Sequence, residues 1–350
     1  MKKITIIAEA GVNHNGSFEL AVQLVDAAAE AGAQVVKFQY FTPSKLVLPK
    51  AEKANYQIKN TTQGESESQA DMLRKLCLSF EEHVQLHDYC RSKGIEYMCS
   101  PFSEIDLDQI SPLISKIKIA SGELTNHPFL EHACTFKKPI ILSTGMCILY
   151  EVIEAVQVIY QKCQRDRISF PSIEILHCNT AYPTPMQDIN LRAMVTLEKT
   201  LPVIFPELEL KFGYSDHSLG IEIPIAAVAL GATIIEKHFT LSRDMDGPDH
   251  RASLEPDELK EMVRCIQNVS SALGAGIKEP QPSEKENIPI ARKSWYYAKT
   301  LTKGTKITKE DLKLLRPGKG LSPSQLSSLL GRQLEVDVSE NDRVKLEDFS

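Results

Sequence analysis

Eight short apolar runs alternate with helical patterns up to about residue 275, and this repeat constrains the fold more than any other feature of the chain. Each run is hydrophobic through its length, which is typical of parallel strands buried on both faces. Eight such strands, each followed by a helix, favour a closed barrel over an open sheet. The sequence therefore predicts a (β/α)8 TIM barrel over residues 1–277. Its strands are expected at residues 4–8, 35–38, 95–99, 117–120, 140–142, 173–176, 210–212 and 232–235.

A second, smaller unit is predicted after the barrel. Residues 278–291 are polar, contain prolines and show no periodic apolar pattern, which indicates a linker. Residues 292–350 carry the only tryptophan of the chain, Trp295, together with turn sequences such as KGTKI and RPGKG. A domain of this size is marginally stable alone, so we expect it to dock on another surface.

The composition excludes several classes of function. A net charge of -6 and the lack of a Lys/Arg-rich block argue against nucleic acid as a partner. The first apolar run is broken by Glu9, and the longest apolar run, 223–235, is too short to span a bilayer. The eight cysteines contain no CxxC pair and predict no disulfide framework. We expect a cytoplasmic protein with reduced thiols and no membrane contact.

Every predicted strand is followed by polar residues, and active sites of such barrels lie at that edge. The alternation of side chains along a strand should place Lys37 with Gln39, and Glu236 with His238, on common faces. The candidates, in chain order, are Glu9, Asn13, His14, Lys37, Gln39, Ser100, Lys118, Ser121, Glu123, Ser143, Thr144, His177, Asn179, Tyr182, Ser215, Asp216, His217, Glu236 and His238.

Two of these candidates suggest a metal site. His217 and His238 end successive strands joined by one crossover helix, so both should lie at the same sheet edge as neighbours. Imidazole beside the carboxylates of Asp216 and Glu236 suits a divalent ion such as Mn, Zn or Fe. His83 and His87, four residues apart on a predicted outer helix, lack a metalloprotease context, and we expect them to face solvent.

Lys37 and Lys118 lie inside otherwise apolar strands, where an unpaired cation is costly. They could form ion pairs with Glu9, Glu123 or Glu236. Because several hydroxyls converge on the same edge, we favour an anion site for a phosphate or carboxylate. Residues 41–71 interrupt the strand and helix pattern with polar sequence and predict a long loop or lid over this edge.

An ordered set of motifs runs through the chain: IAEAGVNHNGS, VVKFQ, SPF, KIASGE, ILSTGM, LHCNTAYPTP, GYSDHSLG, IEKHFT and GPDHRASLEPDEL, followed by KGTKITKEDLKLLRPGKG. Through these motifs nearly the whole chain resembles the sialic acid synthases, and the last motif resembles the SAF, or antifreeze-like, domain of these enzymes. It implies condensation of phosphoenolpyruvate with the open-chain aldehyde of an N-acetylated mannosamine-type sugar, with release of phosphate. It further implies a divalent metal, Mn²⁺ or Mg²⁺, and a domain-swapped homodimer in which each SAF domain covers the partner's barrel.

The resemblance also implies roles for individual residues. His217 and His238 match metal ligands, and Arg316 matches the residue that the SAF domain sends across the dimer. The chemistry of the reaction, rather than the resemblance, leads us to expect that Lys37 and Lys118 neutralise the phosphate, with Lys118 in a catalytic role. On the same ground, Glu9, Glu123 and Glu236 are candidates to activate water or protonate the sugar oxygen. Whether Asn179 or Thr180 faces the substrate stays open. The matches to phosphoenolpyruvate-binding positions are Lys37, Ser100, Lys118, Ser121, Ser143 and Ser215, and those near the sugar are Glu9, Gln39, Tyr182 and Asp249.

Several readings of the function remain. The motif forms favour 2,4-diacetamido-2,4,6-trideoxymannose as the sugar, giving N,N'-diacetyllegionaminate, with N-acetylmannosamine and N-acetylneuraminate as the close alternative. Pseudaminate synthases share the framework. A class I aldolase using Lys118 or Lys37 as a Schiff base is a second kind of enzyme. A third interpretation is a binding protein whose barrel serves only as a scaffold. The polar residues at all eight strand ends argue against it.

Overall fold

The computed structural model describes residues 4–350, which form two compact units that divide between Gly274 and Ala275. Each unit has its own hydrophobic core. Among the described residues, no helix is both long and apolar enough to cross a membrane.

The first unit contains one eight-stranded sheet in which all paired neighbours run parallel. The order β3-β2-β1-β8-β7-β6-β5-β4 leaves β3 and β4 at its two ends, and these two strands also contact each other. The sheet is a nearly closed barrel, as the sequence predicts. Its strands are β1 Thr5–Gly11, β2 Val35–Tyr40, β3 Glu96–Pro101, β4 Ile117–Ile119, β5 Ile140–Ser143, β6 Ile173–Cys178, β7 Leu210–Asp216 and β8 Ile234–His238.

Most strands extend further toward their carboxyl ends than their apolar runs predict. The β7 ladder continues past Phe212 to Asp216, and β8 continues past Ile235 to His238. Hydrogen bonding depends on the backbone, so a strand continues through polar residues wherever a neighbouring strand is there to pair with it. The polar side chains predicted to follow the strands are therefore held on the strands themselves, which positions them more rigidly than a loop would.

The barrel interior is built in layers, because every second residue of a strand points inward. Six buried apolar side chains pack as one interior cluster: Ile7, Val35, Met98, Ile141, Leu176 and Ile234. Two residues further along the same strands lie Glu9, Lys37, Ser100, Ser143, Cys178 and Glu236. The apolar layer thus forms the floor beneath a layer of mostly polar and charged groups.

Helices surround the barrel, and capping residues mark the ends of several of them. The Ser17 hydroxyl accepts a hydrogen bond from Leu20 N, and Gly32 ends the first helix with φ 82°. Ser79 and Glu82 form a reciprocal capping box. The helices of the first unit are α1 Phe18–Ala31, α2 Pro43–Leu46, α3 Asn55–Asn60, α4 Gln69–Lys75, α5 Phe80–Lys93, α6 Glu104–Ile110, α7 His127–Cys134, α8 Leu149–Asp166, α9 Arg192–Ile204, α10 Glu222–Ala229 and α11 Pro256–Ala272.

The predicted lid is more ordered than its polar sequence suggests, since α2, α3 and α4 lie within residues 42–76. We call this segment the lid. It is fastened to the loop after β8: Asn60 Nδ2 donates to Pro248 O at 2.8 Å, and the Asp246 carboxylate accepts from Thr62 N and Oγ1 at 2.8 and 3.0 Å. Helices this short lack the periodicity that sequence reading depends on.

The second unit begins with two short helices, α12 Pro282–Lys285 and α13 Ile288–Ala291. An antiparallel pair follows, β9 Ser294–Tyr297 and β10 Leu312–Leu315. Trp295 and Tyr297 are buried in its core with Leu329 and Val344.

Candidate functional site

A cavity of about 590 Å³ opens at the carboxyl edge of the barrel, where the sequence places the site. Its floor is the polar layer of the strands, and its cover comes from the lid and from the loops after β6 and β8. The predicted site residues that line it are Glu9, Lys37, Gln39, Ser100, Lys118, Ser121, Ser143, Tyr182, Ser215, His217, Glu236, His238 and Asp249.

Two lysines and two glutamates form a buried network on the cavity floor. Lys37 Nζ lies 2.7 Å from Glu9 Oε2 and 3.8 Å from Glu236 Oε2, and Lys118 Nζ lies 3.1 Å from Glu236 Oε1. Lys37 also donates to Ser100 Oγ at 3.0 Å. Both lysines are therefore ion-paired, as one interpretation of the sequence expects, and both line the cavity, where the anion site stays a prediction.

Hydroxyl groups surround this network. Ser215 donates to Glu236 Oε1 at 3.0 Å, and Ser121 Oγ accepts from Gly145 N at 3.0 Å. The Ser143 hydroxyl is buried, and among residues 4–350 no hydrogen-bond partner reaches it. A buried polar group without a partner is costly unless a ligand binds it. Ser143 thus points to an oxygen-rich ligand in the cavity.

Glu9 and Glu236 differ in pKa although both are buried. Burial raises the pKa of Glu9 to about 7 despite Lys37. Burial acts on Glu236 in the same direction, but Lys118 and Lys37 together lower its pKa to about 2. Burial alone would lower the pKa of Lys37, yet Glu236 and Glu9 raise it above its usual value. Glu236 is therefore a fixed anion, whereas Glu9 can exchange a proton near neutral pH.

The imidazoles of His217 and His238 are neighbours, with ring centroids 5.3 Å apart. His217 Nδ1 donates to the carbonyl of Asn179, so the Nε2 lone pair is free to face the cavity, where the Tyr182 hydroxyl lies 3.1 Å away. His238 Nδ1 is buried without a hydrogen-bond partner among the described residues and lies 3.9 Å from Asp249 Oδ2.

These donors fit a divalent metal. Burial lowers the pKa of His217 to about 4 and that of His238 well below its usual value, so both rings are neutral and keep a lone pair for an ion. A backbone carbonyl that fixes the tautomer, as Asn179 does for His217, is typical of metal-binding histidines. Within residues 4–350, no group of three or more His, Cys, Asp or Glu side chains could hold a metal. The two histidines would leave the remaining positions to water or substrate.

Asp216 does not join this pair, contrary to the expectation that it lies beside the metal. Its side chain points to the outer face of the sheet, where Oδ2 lies 2.5 Å from Lys237 Nζ and both side chains are fully buried. Oδ1 accepts from Ser218 N and Oγ. Since β7 continues through Asp216, alternation turns Ser215 and His217 inward and Asp216 outward.

Several barrel candidates do not line the cavity, namely Asn13, His14, Glu123, Thr144, His177 and Asn179. Glu123 follows β4 in a short 3-10 turn, and its carboxylate accepts from Asn126 Nδ2 at 2.6 Å. Asn179 bonds its own loop, through Asp188 O and Ala181 N, whereas Thr180 lines the cavity. Arg316 belongs to the second unit, where it is exposed and precedes a cis peptide bond to Pro317.

The cavity wall also contains lid residues that sequence reasoning missed. Tyr56 and Gln57 of α3 and Gln69 of α4 line the cavity, although the lid sequence was interpreted only as polar. Gln57 is 8% exposed. The aromatic residue inside the polar run was the one available signal, because a tyrosine there has no barrel core to pack against.

The fold and the cavity define a barrel enzyme whose site is assembled from all eight strand ends. Residues 24–278 match the NeuB family, and residues 292–350 match the SAF domain. The chain belongs to the NeuB family and carries a C-terminal SAF domain.

Individual relatives match over almost the whole chain. The N,N'-diacetyllegionaminic acid synthase of Legionella pneumophila is 45% identical over 95% of this chain and 91% of its own length. A pseudaminic acid synthase of Campylobacter jejuni is 34% identical over 99% and 97%. The crystal structure of N-acetylneuraminic acid (sialic acid) synthetase from Leptospira borgpetersenii, in complex with citrate, superposes with a TM-score of 0.68 at 33% identity, covering 82% of this chain and 90% of that one.

Proposed function

We propose that this chain condenses phosphoenolpyruvate with 2,4-diacetamido-2,4,6-trideoxymannose to give N,N'-diacetyllegionaminate and phosphate. The chain is an enzyme, a phosphoenolpyruvate-condensing nonulosonic acid synthase. The observation that carries the proposal is the meeting, in one cavity, of Lys37 and Lys118 with buried hydroxyls and the pair His217 and His238. The higher identity to a legionaminic acid synthase than to a pseudaminic acid synthase supports this sugar. N-acetylmannosamine is the alternative acceptor, followed by the pseudaminate precursor.

Phosphoenolpyruvate binds on the cavity floor in this proposal. The ammonium groups of Lys37 and Lys118 face its phosphate and carboxylate, and the hydroxyls of Ser100, Ser121 and Ser143 donate to their oxygens. Ser215 would bind them in the same way once its O–H turns from Glu236 to the ligand. Holding the enol beside the sugar aldehyde turns a bimolecular reaction into an effectively intramolecular one. The lysines also stabilise the charge that moves onto the departing phosphate.

The reaction makes one carbon–carbon bond and breaks one carbon–oxygen bond. The third carbon of phosphoenolpyruvate attacks the aldehyde carbon of the sugar, and the aldehyde oxygen takes a proton. Water then adds to the second carbon and loses one proton. As the bond from that carbon to the phosphate oxygen breaks, the new hydroxyl becomes the keto oxygen and its remaining proton passes to the departing phosphate. Glu9, which lines the cavity and has a pKa of about 7, is the group proposed to supply and recover these protons.

His217 and His238 would hold the divalent metal, Mn²⁺ or Mg²⁺, beside Tyr182 and Asp249. The ion, when bound, supplies Lewis-acid polarisation of the aldehyde oxygen. Tyr182 and Asp249 contact the sugar near its aldehyde group. Gln39, whose Nε2 lies 3.4 Å from Glu9 Oε1, forms hydrogen bonds with the hydroxyls of the sugar. Glu236 orients Lys118 and Ser215 and stays ionised. No step is assigned to Glu123, which does not line the cavity and whose Oε2 accepts a hydrogen bond from Asn126.

The enzyme is further proposed to work as a domain-swapped homodimer in the cytoplasm. Arg316, which the resemblance matches to the residue that the SAF domain sends across the dimer, lies in the SAF domain of this chain. A swapped dimer would bring Arg316 of the partner subunit to the cavity. All eight cysteines are free thiols, as expected in a reducing compartment.

A Schiff-base aldolase is the second candidate. The raised pKa of Lys37 disfavours Schiff-base formation at this residue, because an ammonium is not a nucleophile. Borohydride trapping with pyruvate would leave a covalent adduct on such an enzyme and none on a synthase.

The test is phosphate release from phosphoenolpyruvate with Mn²⁺, comparing 2,4-diacetamido-2,4,6-trideoxymannose, N-acetylmannosamine and the pseudaminate precursor, with EDTA and a Lys118→Met variant as controls. We expect release that depends on the first sugar, is abolished by EDTA and is at least a hundredfold slower in the variant. Release without sugar, or with none of the three, would exclude the proposed reaction.

A further inference from the structure

The lid brings an aromatic side chain close to the paired histidines. The ring of Tyr56 stacks on Tyr182 with centroids 5.0 Å apart and an interplanar angle of 29°, and Tyr182 stacks on His217 at 4.1 Å. Tyr56 is therefore joined to the floor of the cavity by one continuous stack of rings. These stacked rings limit the directions in which the rest of a bound sugar can extend from its aldehyde carbon.

Beside these stacked rings, two glutamines of the lid form an amide pair. Gln57 Oε1 accepts from Ala54 N at 2.9 Å and from Gln69 Nε2 at 3.4 Å. These bonds use the carbonyl of Gln57 and one N–H of Gln69. They leave the amide nitrogen of Gln57 as a donor and the carbonyl of Gln69 as an acceptor, and both side chains line the cavity.

The rest of the lid wall is apolar and offers no cation. Leu46, Met72, Leu73 and Leu76 line the cavity around the amide pair. The lid cation Lys53 is bonded to Glu67, and neither it nor Lys75 lines the cavity. An uncharged donor and acceptor in an apolar wall suit an amide of the substrate and are poorly suited to a phosphate or a lone hydroxyl.

We propose that Gln57 and Gln69 are specificity-determining residues that bind the acetamido group on the fourth carbon of the sugar. This inference rests on the proposed function and names the part of the site that selects the acceptor. Gln57 Nε2 donates to the acetamido carbonyl, Gln69 Oε1 accepts from the acetamido N–H, and Tyr56 packs against the acetamido methyl. N-acetylmannosamine has a hydroxyl at this carbon, which cannot span both glutamines and leaves buried amide groups unpaired.

The experiment measures kcat/KM for the diacetamido sugar and for N-acetylmannosamine in the wild type and in Gln69→Leu, Gln57→Glu and Gln63→Leu. Leucine fills the space of Gln69 without hydrogen bonds. Glutamate at 57 keeps an acceptor for Ala54 N but removes the donor, so the cap on α3 survives. Gln63 is the matched control, because it is an exposed lid glutamine that does not line the cavity.

We expect the preference for the diacetamido sugar over N-acetylmannosamine to fall at least tenfold in Gln69→Leu and in Gln57→Glu, mainly through KM, and to stay within twofold in Gln63→Leu. An unchanged ratio in both cavity variants, or an equal loss with both sugars, would overturn the inference. If Gln69→Leu fails to fold in thermal melting, Gln57→Glu decides. A wild type without sugar-dependent phosphate release would instead refute the proposed function, which separates the two failures.

Discussion

Adjacent residues on β7 and β8 have different roles because they face opposite sides of the sheet. Ser215, His217, Glu236 and His238 reach the cavity, whereas Asp216 and Lys237 between them form a buried ion pair on the outer face. The two-residue period correctly placed Glu236 with His238 from the sequence. The same rule applied to β7 turns Asp216 away from His217, and the expectation that Asp216 lies beside the metal did not apply it.

His83 shows where residue-level prediction fails for a different reason. We expected His83 and His87 to face solvent, yet His83 is fully buried, and its Nδ1 lies 2.7 Å from the Tyr97 hydroxyl. His87 exposes 29% of its side chain. In a helix with few apolar residues, the sequence pattern does not show which face is buried. The tyrosine partner lies in another element, so no local pattern predicts the contact.

Burial of His83 makes the stability of the protein sensitive to acid. Burial lowers the pKa of His83 to about 4, below the value near 6.5 of an unfolded chain. The unfolded state therefore binds the proton more tightly, and the stabilisation is complete above pH 6.5 and is lost as the pH falls toward 4. The shifted pKa of His83 should therefore lower the free energy of unfolding by about 2 kcal/mol between pH 7 and pH 5.

Between pH 7 and pH 5, the free energy of unfolding should fall by about 2 kcal/mol less in His83→Gln than in the wild type. Urea titration at the two pH values measures this difference. His87→Gln is the control and should leave the fall unchanged. The remaining fall should persist, since burial also lowers the pKa of His14 to about 3 and of His250 to about 4. An identical fall in wild type and His83→Gln would refute this account of His83.

At the scale of elements, the buried pair Asp216–Lys237 ties together the carboxyl ends of β7 and β8. Removing one partner leaves an unpaired buried charge, so Asp216→Leu and Lys237→Met should each destabilise the protein by about 3–5 kcal/mol. The double variant should lose much less than the sum, because no isolated charge remains. A double-mutant cycle from urea unfolding measures this coupling, and additive losses would show that the pair does not act as a unit.

The lid is a second element whose attachment can be tested. Asp246→Ala removes two hydrogen bonds to Thr62 and should weaken lid docking by about 1–2 kcal/mol. Amide hydrogen exchange across Asn55–Asn60 should then speed up by about 5- to 30-fold. Asp244→Ala, at an exposed position of the same loop, should leave exchange as in wild type. Unaltered exchange in Asp246→Ala would mean that other contacts hold the lid.

Elements with a long apolar repeat were predictable, and the short ones were not. The eight strands, the cap of α1 and the capping box of α5 follow from local chemistry that the sequence contains. The helices α2, α3 and α4 have at most two turns. The end of α3 is bonded to the loop after β8, and α2 packs against α4, through contacts that sequence reading cannot supply. The amide pair of the candidate site was missed for that reason.

At the scale of the whole molecule, the proposed swapped dimer predicts complementation between two impaired chains. A chain carrying Arg316→Ala keeps its barrel, and a chain carrying Lys118→Met keeps its SAF domain. In a mixed dimer, Arg316 of the partner subunit completes the intact barrel. Co-expressed and co-purified chains should recover about one quarter of wild-type activity, since half of the dimers are mixed and each has one working site.

Each variant expressed alone is the control and should be nearly inactive. Mixed dimers that form, as two affinity tags would show, but stay as inactive as the single variants would contradict the exchange of Arg316 between subunits.

The measurement that tests the central claim most directly follows the bridging oxygen of phosphoenolpyruvate. The enzyme is incubated with Mn²⁺, the diacetamido sugar and phosphoenolpyruvate labelled with ¹⁸O between carbon and phosphorus, and both products are analysed by mass spectrometry. The account predicts that phosphate retains the label and forms in equal amount with a keto acid that joins both carbon chains. Unlabelled phosphate, or phosphate without that keto acid, would contradict a synthase that cleaves the carbon–oxygen bond.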